Sequence, residues 1–275
     1  MSSSSLAYLL YRVVKYTTYA LLTLNLWLFL SEEIVSAQHA AADSGVAMGI
    51  QLFSATLDTA AWVILLLLFE LETAVIPDHR LQGRLRLVIH GVRMICTLAI
   101  VMAFLGYAGE WETLMASEPL AGAACDLVGQ DWSALLKLDD FVPLTLDNCA
   151  LYGADTLVVS GLDRVLASPA GFLESQRLAL VDVMNAGAWI LVVVVLEAEL
   201  RLMTREGGVS RPIALAALAV KCLLYATLVV AAVYWGFKGD FLDFWDAALW
   251  LFAFVFIELN VFEWQQEIQD QQAEA

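Results

Sequence analysis

The sequence predicts an all-α polytopic membrane protein: six transmembrane helices arranged as three helical hairpins, each a basic helix followed by an acidic one. Three observations carry this prediction. The 275 residues are 61% hydrophobic with a mean hydropathy of +0.74, too apolar for an ordinary soluble domain. Six runs, about 6–30, 52–76, 86–108, 180–203, 213–237 and 242–264, can each cross a hydrocarbon core of about 30 Å, which takes roughly 20 helical residues. They are continuously apolar and lack the period-two alternation of a membrane barrel, so helices are the spanning element. Lastly, a pattern recurs in the second, fourth and sixth runs. It reads Asp58-Thr59-Ala60-Ala61-Trp62, Asn185-Ala186-Gly187-Ala188-Trp189 and Asp246-Ala247-Ala248-Leu249-Trp250.

The first run begins the first hairpin. Its basic residues, Arg12 and Lys15, follow the first apolar residues, and no A-x-A site ends a short apolar core. It is therefore expected to stay as a membrane anchor and not to be a cleaved signal. A small-residue-rich loop with Glu32, Glu33 and Asp43 leads to the second run. There Trp62 is followed eight residues later by Glu70, and two residues after that by Glu72. Arg80, Arg84, Arg86 and Arg93 cluster around the turn into the third run, and Arg201, Arg205 and Arg211 around the turn from the fourth to the fifth. By the positive-inside rule both clusters, and both termini, are cytoplasmic. A cell inner or plasma membrane location follows as the expectation.

The hairpins repeat the same chemistry. Val14-Lys15, Val92-Arg93 and Val220-Lys221 each place a base several residues into an apolar run from the cytoplasmic side. The later acidic runs carry Glu197 and Glu199, then Glu258 and Asn260, at the positions of Glu70 and Glu72. Internal symmetry of this kind, here a triplication, is frequent among transporters.

The chain reads as a single membrane domain over 1–275. It has an extracytoplasmic insertion at 109–179 between the third and fourth spans and an acidic cytoplasmic tail at 265–275. Residues 110–179 hold eleven Asp or Glu against three Lys or Arg, about half of the net charge of −16. Pro119, Pro143 and Pro169, several glycines and an amphipathic stretch near Trp132–Val142 suggest a mostly helical and irregular cap, not a separate folded domain. Cys125 and Cys149 fall in this external segment, where an oxidising compartment lets them pair. The loop so closed is worth about 3 kcal/mol in the chain-entropy model.

Ionisable groups within spans are costly, so they need partners or a function. Lys15, Arg93 and Lys221 reach the same depth as Glu70, Glu197 and Glu258 and are expected to form intramembrane ion pairs. At about 100° per residue, Asp58, Trp62 and Glu72 share a helical stripe, as do the equivalent trios, whereas Glu70 lies about 120° away. Glu72, Glu199, Asn260, Glu263, Asp58, Asn185 and Asp246 are therefore the candidates for an ion pathway. Asp58, Asn185 and Asp246 also suit placement at helix N-termini, where an acid complements the dipole. The tryptophans suit packing or interfacial anchoring.

Two function classes follow. One is a channel or transporter for protons or small cations using these carboxylates. The other is a non-catalytic scaffold or subunit held together by its ion pairs. Partners are the lipid bilayer, protons or small cations, and a second copy or a membrane complex. Nucleic acid is not expected at this charge. The sequence has no nucleotide-binding or metalloprotease motif and no nucleophile–base spacing. Neither enzymatic activity nor a cofactor is expected, and the identity of any metal stays open.

Overall fold

Helices dominate the computed structural model, which describes residues 3–37, 46–72, 83–138, 140–203 and 211–255. In chain order they are α1 (Ser3–Ser36), α2 (Val46–Leu52), α3 (Ser54–Glu70), α4 (Arg84–Thr113), α5 (Pro169–Met203), α6 (Arg211–Lys238) and α7 (241–255). Among the described residues, four helices are long and apolar enough to cross a membrane, within α1, α4, α5 and α6. Their outward faces carry the residues that bilayer contact requires: Leu87, Met94 and Ile95 of α4 and Leu223 and Val230 of α6 are all exposed. The chain has the chemistry of a membrane protein.

α3 packs between α1 and α4, α4 against α5, and α5 against α6. One buried cluster joins α1, α3, α5, α6 and α7 through Leu22, Leu66, Val192, Leu228 and Ala253. Close approach at one crossing depends on glycine. A Cβ on Gly106 of α4 would stand 2.1 Å from Ser54 Oγ and 2.9 Å from the Ile50 carbonyl oxygen, so α2 and α3 can lie against α4 only where that side chain is absent. The α6–α7 turn uses Gly239 at φ 75°, the left-handed position that commonly ends a helix.

The connection from α4 to α5 differs from the helical and irregular cap expected. It is a five-stranded sheet of β1 (Ser117–Pro119), β2 (Ser133–Lys137), β3 (Asp140–Pro143), β4 (Leu157–Val159) and β5 (Val165–Ala167), in the order β1-β4-β5-β2-β3. β2 and β5 run parallel and the other pairs antiparallel. The stretch around Trp132–Val142 is thus a β2–β3 hairpin. Alternation places Leu135, Val165 and Ala167 on the side of Leu114 and Phe172 near the helices. Ala134 and Leu166 face the other side, with Leu144 and Cys149. Both faces of β5 are covered, which is why Val165, Leu166 and Ala167 are fully buried.

The Cys125–Cys149 disulfide closes the outer side of this cap. It joins two 3₁₀ turns, Ala124–Leu127 and Cys149–Leu151. Polar ties fasten the cap to the helices: Lys137 Nζ donates to the Gly239 carbonyl at 3.1 Å, and Gln176 Nε2 of α5 donates to the Leu114 carbonyl at 2.7 Å.

Candidate functional site

The bases and acids at the end of the bundle away from the cap form a layer of ion pairs, with partners partly different from those expected. Lys15 Nζ meets Glu70 Oε2 at 2.5 Å, both side chains being less than a tenth exposed. Glu70 also accepts a hydrogen bond from the Tyr16 hydroxyl at 3.0 Å. The rings of Tyr11, Tyr16 and Tyr19 surround the ammonium at about 6 Å. Arg93, however, pairs with Glu72, and Lys221 pairs with Glu199 at 2.9 Å. Glu197 pairs with Arg201 one turn along α5, and both of those side chains are exposed.

Glu72 and Glu199 are therefore partners of bases and stand apart from the recess that holds Asp58 and Asn185. The physical reason is distance along the axis. Fourteen residues separate Asp58 from Glu72, about 21 Å of helix, so a shared stripe meets different neighbours at its two ends. Glu258, Asn260, Glu263 and the tail 265–275 lie outside the described residues.

Asp58, Asn185 and Asp246 come together at the cap end. None is a helix cap: α3 starts at Ser54, α5 at Pro169 and α7 at 241. The N-terminus of α3 is served by Glu33 of α1, whose carboxylate accepts the backbone N–H groups of Ala55 at 2.7 Å and Thr56 at 3.2 Å. Asp246 accepts a hydrogen bond from Asn25 Nδ2 at 2.8 Å, and Asn25 is 1% exposed. Each Asp also stands beside the tryptophan one turn later, Asp58 beside Trp62 and Asp246 beside Trp250, in one recess. The repeated spacing puts the polar residue and the tryptophan on one face of the helix, because residues four apart are neighbours.

These residues form the floor of a cavity of about 120 Å³ between the helices and the cap. Leu135, Leu138, Phe141 and Leu162 of the cap form an apolar roof. The walls carry Glu32 and Glu33 of α1, Glu110 and Tyr107 of α4, and Asp182 of α5. Asp240 and Asp243, at the start of α7, complete a set of eight carboxylates with Asp58 and Asp246. No Lys, Arg or His among the described residues lines it. Ionised carboxylates between low-dielectric walls attract cations and repel anions.

A smaller recess of about 30 Å³ continues from the floor, bounded by Asp58, Asn185 and Asp246, the tryptophans of all three motif copies, and Phe254. Trp62 and Trp250 meet edge to face at 6.4 Å, and Trp189 lies 4.4 Å from Phe254 between ring centres. Below the recess Leu22, Leu66 and Val192 pack in one buried cluster, each 4% exposed or less. Among the described residues, no group of three His, Cys, Asp or Glu side chains converges closely enough to hold a metal ion.

Several wall residues had a sequence signal. Glu32, Glu33, Asp240 and Asp243 mark the acidic loops, and Asp182 stands one turn before Asn185. Asn25 and Tyr107 had none, because each lies among apolar residues of a predicted span, and Glu110 was legible only as one of the acids of the insertion. In comparisons with protein-family models, with curated proteins and with solved structures, this chain matches none.

Proposed function

We propose that this chain is a six-span inner or plasma membrane protein, with both termini cytoplasmic, that transports protons or small cations. α3 and α7 are taken as spans beside the four longer helices, giving three hairpins related by an internal triplication. The observation that carries the proposal is the convergence of Asp58, Asn185 and Asp246, equivalent positions of the three copies, on the floor of one carboxylate-lined cavity. The orientation draws support from Arg84, Arg86, Arg201 and Arg211, which sit at the helix ends away from the cap.

In this account cations enter from the external, cap side, drawn by the field of the walls, and reach the floor. The packed layer around Leu22, Leu66 and Val192 closes the inner side, and below it lie the Lys15–Glu70, Arg93–Glu72 and Lys221–Glu199 pairs. Passage then requires rearrangement of helices about that plug, as in alternating access. Arg93 and Lys221 each pair with the second acid of the preceding copy. The third copy carries Asn260 at that position, and Lys15 takes Glu70 of its own hairpin.

A membrane scaffold is the second reading, favoured by the buried apolar cluster and the paired charges of the inner half. Reconstitution separates the two. Proteoliposomes should show proton or sodium flux that Asp246→Asn and Asp58→Asn each abolish while the variants remain folded. Absence of flux from correctly oriented, folded parent protein would sink transport and leave the scaffold.

A further inference from the structure

We infer that the cavity beneath the cap binds an aliphatic diamine or polyamine, one ammonium seated in the tryptophan-lined recess and the others along the acidic walls. This inference rests on the proposed cation-binding role of the same cavity and names the class of cation. Four features of the site select it. The carboxylates are numerous but dispersed: they belong to α1, α3, α4, α5 and α7, and among the described residues no three converge to hold a metal ion. A hard divalent cation needs six or more oxygens in one compact shell. Charges spread around a wall are instead matched by charges spread along a chain.

The recess suits an ammonium head. Its volume of about 30 Å³ exceeds the 10–15 Å³ that one water-sized group needs. Two carboxylates and three indole rings bound it, combining ion pairing with cation–π attraction. The roof supplies a third match, because leucine side chains of the cap lie where methylene spacers would run.

Unpartnered polar atoms are the fourth and independent feature. Ser36 Oγ has no hydrogen-bond partner among the described residues, although Ser36 is 7% exposed and lines the cavity. Asn185 Oδ1, in the recess, is likewise without a partner, and it is an acceptor. Buried acceptors left without donors are costly, and an ammonium ion is a donor in three directions.

The test is equilibrium binding to the full-length protein in lipid nanodiscs, read by tryptophan fluorescence and by calorimetry. The probes are 1,4-diaminobutane, a linear triamine, butylamine, sodium chloride and calcium chloride. Saturable binding of the diamine and triamine, roughly tenfold or more tighter than butylamine, is the expected result. Asp246→Asn, which keeps an acceptor for Asn25, should weaken the diamine by a similar factor. Asp182→Asn serves the same purpose if Asp246→Asn does not fold, and Asp163→Asn, outside the cavity, should leave binding unchanged. Equal binding of butylamine and diamine, or calcium binding with no amine binding, would overturn the inference. The same holds for amine binding that neither cavity variant weakens. Proton or sodium flux without amine binding overturns it and leaves the transport proposal standing; amine binding without flux does the reverse.

Discussion

Replacing Glu70 by Gln isolates what the buried ion pair contributes. The change removes a charge 2.5 Å from Lys15 Nζ, at a site where both side chains are less than a tenth exposed. Gln keeps an oxygen for the Tyr16 hydroxyl, so that hydrogen bond survives and the loss is the stranded ammonium. Breaking a buried pair from one side costs about 3–5 kcal/mol. Three tyrosine rings at about 6 Å hold part of the lysine charge, which places the expected cost at the lower end, about 3 kcal/mol. For a chain of this size that lowers the unfolding midpoint by roughly 5 °C.

Glu197→Gln is the internal control. Its carboxylate is 55% exposed and its partner Arg201 is 77% exposed, so the expected loss is about 0.5 kcal/mol or less. Thermal unfolding of the detergent-solubilised protein, followed by tryptophan fluorescence, measures both. Lys15→Met combined with Glu70→Leu should restore most of the stability, since no charge is then stranded. A loss below about 1 kcal/mol for Glu70→Gln would refute the reasoning. So would a Glu197→Gln loss as large as that of Glu70→Gln.

Three further outcomes follow from the geometry. Gly106→Ala should destabilise by about 1–3 kcal/mol in the same assay, because the new methyl meets Ser54 Oγ and the Ile50 carbonyl; a neutral result would mean α2 does not pack on α4. The Cys125→Ser/Cys149→Ser variant should lose about 3 kcal/mol of cap stability and be cleaved faster by protease between residues 117 and 167, with the helices still protected. Single cysteines introduced at exposed Leu146 or Leu151 of the cap should react with an impermeant reagent from outside intact cells; labelling only after lysis would reverse the orientation.

Hydropathy alone made the four long apolar helices α1, α4, α5 and α6 legible, because bilayer crossing demands long apolar runs whatever the neighbours are. The disulfide was legible for a similarly simple reason: two cysteines shared one segment between apolar runs. The same sequence signals failed for the cap. Its strands are three to five residues long, shorter than a window in which alternation stands out, and they are fixed by pairing with distant strands such as β1 with β4. The ion pairs show a finer division. That Lys15, Arg93 and Lys221 would need acids follows from the cost of charge in an apolar run. Which acid each would take depends on which helix lies beside it, and a helical wheel does not contain that information. Glu72 and Glu199 share a stripe with Asp58 and Asn185 yet stand about 21 Å away from them along the axis, so they meet bases while the others meet one another. Recurrence of a carboxylate or its amide four residues before a tryptophan was written in the chain. That its three copies surround one cavity, with Asn25, Tyr107 and Glu110 brought in from other helices, was decided only by tertiary packing, because side chains far apart in sequence become neighbours only when the helices close around them.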